Sequence, residues 1–352
     1  MSIFNLMTVA ASFRMSRCYR LLRCLAAAAI VSSVAAADAG AADTHGDVIC
    51  NGVRLQDEIV VVNIRNLCGC CDPEKFREGL VVENYAVCDD PGCRRWQPSD
   101  LQGFLAFNPS VPTVIFVHGN QISPGDAKCG GLAVYRRMIL HGSDAPPIRF
   151  VIFSWPSSQV SGLLRDVRVK AARTGPAGFQ LAWLIDQMPS ETPVSLVGFS
   201  FGARIITGGL HVLAGGSLGG SASLSEHVHP NRPQMSVILM ASALHSYWLA
   251  EGQYHGLAMT QVSRLCLINN CNDRAMKYYD FIEPGFGGPQ ALGLCGPTCI
   301  HREYARKIVN RDVSGCVGAE HDLMRYVCAP GDAGLIWDYT AGPVASEAKS
   351  GG

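Results

Sequence analysis

The chain has 352 residues, 48% hydrophobic and only 16% charged, enough apolar material for one large core or two smaller ones. Its 29 basic and 29 acidic residues cancel, so net charge offers no footprint for nucleic acid or an anionic membrane surface. The first 39 residues hold four arginines and one acid, which leaves 25 basic against 28 acidic residues in the remainder.

That beginning reads as a targeting segment, residues 1–39. A basic stretch from Arg14 to Arg23 precedes an apolar run, Leu25 to Ala37, and Ala37-Asp38-Ala39 fits a signal-peptidase site that makes Gly40 the first mature residue. Met15 is an alternative start, because Met15-Ser16-Arg17 opens a more ordinary signal peptide. An uncleaved anchor is the competing reading, but 13 apolar residues are too few to span a bilayer as a helix. Cys24 precedes the run instead of closing it, which argues against a lipoprotein anchor. The expectation is an exported protein, periplasmic, cell-envelope or extracellular, with no stable membrane span once mature.

Fifteen cysteines suit export. Cys18 and Cys24 leave with the signal, and the odd 13 that remain require a free thiol or an intermolecular bridge. Short spacings suggest the pairs Cys88/Cys93, Cys266/Cys271, Cys295/Cys299 and Cys316/Cys328, although connectivity does not follow from sequence. Cys68, Cys70 and Cys71 with Cys88 and Cys93 offer a zinc alternative, disfavoured by the lack of regular CxxC spacing. No metal or organic cofactor is implied.

Residues 40–99 form a cysteine-rich segment that contributes the first strands, through the runs Glu58 to Val62 and Gly79 to Glu83. Residues 100–340 alternate apolar runs with helical patterns, the mark of a mainly parallel sheet flanked by helices. The runs are Thr113 to Val117, Arg149 to Phe153, Val194 to Val197, Ser236 to Met240 and Leu265 to Ile268. They are continuous and rich in Val, Ile and Phe, as strands covered on both faces should be. Leu181, Leu184, Ile185 and Met188 recur at helical spacing, as do Ile205, Ile206, Gly209 and Leu210. Ala214 to Pro233 and Glu283 to Cys299 interrupt the pattern as surface insertions able to overhang a site. The tail 341–352 has the composition of a disordered end.

Two stretches match G-x-S-x-G: Gly198 to Gly202 around Ser200, and Gly215 to Gly219 around Ser217. Context separates them. Ser200 follows an apolar strand and opens an amphipathic helix, the strand-turn-helix setting of a nucleophile elbow; Ser217 follows that helix and begins a loop. The backbone N–H of Phe201, at the new helix start, is one expected oxyanion donor, and that of Asn120, in His118-Gly119-Asn120 after the first core strand, is the second. His118 reads as a structural residue of that donor loop. Chain order then asks for an acid and afterwards a base. Asp273, just past the strand Leu265 to Ile268, is the expected acid, with Asp280 and Glu283 as alternatives. His321, after a Gly/Ser-rich turn and before a helix spanning Asp322 to Val327, is the expected base, with His301 second; His227 and His229 read as solvated residues. A Cys266–Cys271 bridge would stiffen the acid's loop.

These features in order resemble a lipase-like bacterial branch of the α/β-hydrolases: Phe116-Val-His-Gly-Asn120, Phe153-Ser-Trp-Pro-Ser157, Asp166 in the following helix, Gly198-Phe-Ser-Phe-Gly202, Asn269 to Asp273, and the late His321. The resemblance spans roughly residues 57–328 and implies an α/β-hydrolase fold with Ser200, His321 and Asp273 as a catalytic triad. Ser-Trp-Pro-Ser reads as a packing and turn element. Phe199 stands where such enzymes commonly have histidine, and the cysteine-rich segments fall outside their pattern. The resulting expectation is an exported esterase or lipase-like serine hydrolase acting on a small-molecule or lipid ester, with oligomeric state open. The alternative is a catalytically silent hydrolase fold used for binding or as an envelope component.

Overall fold

The computed structural model describes residues 49–50, 52–87, 94–219, 224, 232–281 and 290–341. The targeting segment, Cys88 and Cys93, His227 and His229, Glu283, and the tail beyond Ala341 lie outside the described residues, as do large parts of both insertions.

Nine strands form one sheet: β1 Glu58–Asn63, β2 Val81–Val87, β3 Arg94–Ser99, β4 Thr113–Val117, β5 Arg149–Ser154, β6 Val194–Phe199, β7 Met235–Met240, β8 Val262–Asn269 and β9 Ile308–Asp312. Side by side they run β9-β8-β7-β6-β4-β5-β1-β2-β3. All neighbours pair in parallel except β2, which runs antiparallel to β1 and β3. The principal helices are α1 Pro124–Ile139, α2 Leu163–Gln187, α3 Phe201–Leu213, α4 Leu323–Val327 and α5 Asp332–Thr340. This is the α/β-hydrolase fold.

Period-two alternation sends each strand's residues to two separate cores. Ile115, Val117, Val151, Phe153 and Leu196 pack with Leu181, Leu184, Ile205 and Ile206 of α2 and α3. Val114, Phe116, Phe150, Ile152 and Val197 pack instead with Val134, Tyr135 and Met138 of α1 and Ile336 and Trp337 of α5. Burial on both faces explains why the sequence shows unbroken apolar runs there. β1 extends one residue past its run, to Asn63, and β6 two residues past its run, through Gly198 to Phe199.

Local chemistry sets the helix limits. Ser123 and Asp126 close a capping box before α1, with Pro124 in the first turn. Helices α2 and α3 approach closely at Gly178 and Gly209: a Cβ on Gly178 would lie 3.1 Å from the Ile205 carbonyl oxygen, and one on Gly209 would lie 3.0 Å from that of Gly178. At the N-terminal edge of the sheet, buried Arg54 forms a two-pronged ion pair with buried Asp57, Nε to Oδ2 and Nη2 to Oδ1 both at 2.8 Å. Tyr135 donates to Asp57 Oδ2 at 2.6 Å, and Arg54 Nη1 donates to the carbonyls of Gly142 and Ala145. That network clamps β1 to the loop leading into β5.

The cysteine pairing expected from spacing does not hold among the described residues. Cys266, Cys271, Cys295, Cys299, Cys316 and Cys328 are all unbridged, as are Cys68, Cys70 and Cys129. Cys266 and Cys271 show why short spacing misleads. Cys266 is buried inside extended β8, whereas Cys271 is exposed beyond the end of that strand; extended chain carries the two apart at about 3.3 Å per residue. Burial and the nearby Asp332 charge push the Cys266 thiol up to about 12, so it packs as a small apolar group. The described residues hold no cluster of His, Cys, Asp and Glu arranged for a metal ion, and none of their helices is long and apolar enough to cross a membrane.

Candidate active site

Ser200, Asp273 and His321 each follow the C-terminal end of a parallel strand, β6, β8 and β9, so topology delivers all three to one edge of the sheet. The turn at Ser200 is sharp: φ is 54° and ψ is −119°, left-handed for a residue with a side chain. Its N–H donates to the Met240 carbonyl at 2.9 Å, and its carbonyl accepts from Ala203 and Ala243. Gly202 allows the following helix to meet β4, since a Cβ there would stand 2.0 Å from the Val117 carbonyl oxygen.

The side chains form a continuous relay. Asp273 Oδ2 lies 2.7 Å from His321 Nδ1, and His321 Nε2 lies 2.9 Å from Ser200 Oγ. A carboxylate accepts, so Nδ1 carries the proton; Nε2 is then an acceptor for the serine hydroxyl. Asp273 is fully buried, and Met276 N–H donates to its Oδ1 at 3.0 Å. Burial alone would raise this carboxyl, but the adjoining His321 ring, the Tyr326 hydroxyl and the Met276 N–H together hold it below the ordinary carboxylate range. The ring of Phe199 lies against the imidazole, centroids 4.9 Å apart. The aromatic residue preceding Ser200 thus braces the imidazole.

The loop after β4 runs beside Ser200: a Cβ on Gly119 would lie 3.2 Å from Ser200 Cβ. As the first residue of α3, Phe201 has a backbone N–H with no intrahelical acceptor. Asn120 is tied down through its side chain, whose Nδ2 donates to Asp166 Oδ2 at 2.9 Å. Gln121 Nε2 points to the same oxygen at 3.4 Å, while Asp166 Oδ1 accepts from Val160 N–H at 2.6 Å and Lys170 Nζ at 2.7 Å. One carboxylate, only 1% exposed, therefore joins this loop, the segment after β5 and helix α2. Lys170 and the amide donors outweigh its burial and hold Asp166 below the usual carboxylate value.

His118 is structural, as expected from its position. Its Nδ1 meets the Gly119 carbonyl at 2.9 Å and its Nε2 faces Arg65 Nη2 at 3.4 Å. Burial lowers it to about 3, so it stays neutral. Trp155 of the Ser-Trp-Pro-Ser stretch is fully buried and donates from Nε1 to the His118 carbonyl at 2.8 Å, a packing role. Ser217 sits exposed in the turn after α3. His301 is an exposed cap of the short helix Arg302–Ala305. The carboxylate bonded to His321 is that of Asp273, not of Asp280.

Sequence reasoning missed two supports of Asp273. Tyr326 donates its hydroxyl to Asp273 Oδ2 at 2.6 Å, and Asn270 Nδ2 holds the Gly318 carbonyl at 2.9 Å, tying the Asp273 loop to the His321 loop. A tyrosine five residues after a histidine carries no recognisable signal. Only the turn of the chain at Asp322, which caps α4, brings its hydroxyl back to the acid.

Fold and site together define an α/β-hydrolase sheet carrying a Ser–His–Asp relay at its C-terminal edge. No family model matches this chain, and no curated protein does. Among solved structures, it is similar to esterase B from Lactobacillus rhamnosis, with 14% identity over 96% of this chain and 94% of that one and a TM-score of 0.35. An inhibited form of the same esterase gives 12% identity, 94% and 93% coverage and a TM-score of 0.30. Zea mays acyl-protein thioesterase 2 shows 12% identity over 65% of this chain and 92% of that chain, with a TM-score of 0.32. At these values the chemistry must be argued from the site itself.

Proposed function

We propose that the protein is a serine hydrolase that cleaves an ester-type bond through an acyl-enzyme on Ser200. The observation that carries this reading is the unbroken hydrogen-bonded chain from Ser200 Oγ through His321 to Asp273. In the reaction, His321 Nε2 takes the proton as Ser200 Oγ attacks the carbonyl carbon, and the carbonyl π electrons move onto oxygen. The N–H groups of Phe201 and Asn120 receive that oxyanion, aided by the dipole of α3. The tetrahedral adduct collapses, the C–O bond to the leaving alcohol breaks, and the imidazolium supplies the alcohol's proton. Water then repeats the sequence on the acyl-enzyme, with His321 as base, releasing the acid and free Ser200. Asp273 keeps the ring in the required tautomer and balances its positive charge.

Export belongs to the same proposal, carried by the basic-then-apolar N-terminus and the Ala37-Asp38-Ala39 site. Incubation of the folded protein with a fluorophosphonate, followed by peptide identification, tests the chemistry. Label on Ser200, together with loss of p-nitrophenyl ester turnover in Ser200→Ala, is the expected result. A folded protein that takes no label and turns over no ester refutes it.

A further inference from the structure

The mechanism above leaves a buried polar group beside Asp273 unused: the hydroxyl of Tyr326. It donates to Asp273 Oδ2 at 2.6 Å, the same oxygen that receives His321 Nδ1–H at 2.7 Å. Asp273 Oδ1 is held separately by the Met276 N–H, as part of an N-cap to the short helix Arg274–Lys277. Oδ2 takes two donors, His321 Nδ1–H and the Tyr326 hydroxyl, so the imidazole is not left to hold the carboxylate plane by itself. Tyr326 supplies the second of these from α4, which starts just after His321. Base and acid anchor therefore ride on the same short stretch of chain. Phe199 braces both, edge-on to Tyr326 at 5.7 Å and beside the imidazole at 4.9 Å.

We propose that Tyr326 is a positioning residue of the catalytic relay: its hydroxyl fixes the orientation of the Asp273 carboxylate and shares the oxygen that holds His321. The inference rests on the Ser–His–Asp reading for its effect on turnover, although the hydrogen-bond geometry does not. The shared oxygen has a definite consequence. A hydroxyl donating to Oδ2 draws electron density from it, so the imidazole bond is weaker than Oδ2 alone would make it. The phenol is buried beside this carboxylate, and both burial and the negative charge raise its pKa, so it remains a donor.

Tyr326→Phe in the full chain tests this, since only an oxygen is removed. Two readouts are needed: steady-state kinetics on a p-nitrophenyl ester, and the low-field proton resonance of His321 Nδ1–H. The expected result is a fall in kcat of about tenfold with KM within twofold, because the loss is one of orientation, together with a downfield move of the resonance. Site-specific 3-fluorotyrosine at 326, which keeps the ring and strengthens the donor, moves the resonance upfield, and this arm serves if the phenylalanine variant does not fold. An unmoved resonance in either folded variant overturns the proposal, even if melting temperature falls, because a merely structural hydroxyl would cost stability alone. If the wild type neither turns over ester nor takes label, yet the resonance moves in the variants as described, the hydrolase reading is overturned and the positioning stands.

Discussion

Replacing Gly202 with alanine tests whether the loop Gly119-Asn120, the oxyanion loop of the proposed mechanism, is set by contact with the helix that follows Ser200. A Cβ at this position would lie 2.0 Å from the Val117 carbonyl oxygen, 2.7 Å from the Val117 carbonyl carbon and 2.9 Å from the His118 carbonyl oxygen. All three are backbone atoms, so no rotamer change relieves the overlap. Real Cβ contacts are essentially never shorter than 3.0 Å, so helix and loop must part by about 1 Å or more, a close-packed region having no slack to absorb it. Overpacking of this kind costs about 1–3 kcal/mol of stability. The larger effect falls on rate, because Val117 and His118 lead directly into Gly119-Asn120, and a displacement of about 1 Å in a reacting constellation costs about 100-fold. The assay is kcat on a short p-nitrophenyl ester beside the rate of fluorophosphonate labelling, with urea unfolding run in parallel to show that the variant is folded. A folded Gly202→Ala protein with wild-type kcat and labelling rate would refute the argument that this contact sets the oxyanion loop.

Two further outcomes follow from the buried charges. Asp57→Asn leaves the Arg54 guanidinium buried without its two-pronged partner, so urea unfolding should show a loss of about 3–5 kcal/mol. Ester turnover per folded molecule should stay unchanged, because this network lies at the opposite edge of the sheet from Ser200; a selective loss of kcat would contradict that separation. For pH, His118 is lowered from 6.5 to about 3, chiefly by burial, and His255 is lowered well below 6.5, again chiefly by burial. Between those limits the unfolded chain binds protons that the native chain refuses, so stability falls as pH drops below about 6.5. Asp273 and Asp166 are lowered despite their burial, so their contribution is present above the ordinary carboxylate value and is lost only as pH falls beneath it. Urea midpoints should therefore decline from pH 7 to about pH 5, above the range in which carboxyls of the unfolded chain take up protons, and His118→Gln should flatten that slope. A midpoint constant across this range would remove buried neutral histidines as the cause.

Much of this was legible from the chain because strand, turn and helix follow local rules. The runs at Thr113 and Val194 are buried on both faces and so are written as unbroken apolar sequence. That the side chains of Ser200, Asp273 and His321 meet was legible because each lies on the chain that follows a parallel strand, a position chain order can locate. Cysteine pairing was not legible: spacing says nothing about whether one partner lies inside a strand, as Cys266 does. Nor was the tie between Tyr326 and Asp273, or between Asp166 and Asn120, because each joins residues 46 or 53 positions apart through a side-chain geometry that only the completed fold creates.

The distribution of backbone strain gives the site its coherence. Among the described residues, four non-glycine positions have positive φ: Gln121, Ser200, Ala241 and Cys299. Three of them follow the C-terminal ends of the neighbouring strands β4, β6 and β7. Each left-handed residue costs about 1–3 kcal/mol and persists only where its surroundings over-determine it. The surroundings here do so. The Ser200 N–H is held by the Met240 carbonyl, and the Ala241 N–H by the Ile268 carbonyl. The Gln121 side chain joins Asn120 on the Asp166 carboxylate that Lys170 neutralises. These bonds link β6 to β7, β7 to β8, and the loop after β4 to α2, so the strained turns are held in one connected framework. Together the three bent turns set the Ser200 hydroxyl clear of its strand, beside the Gly119-Asn120 loop and 2.9 Å from the His321 imidazole.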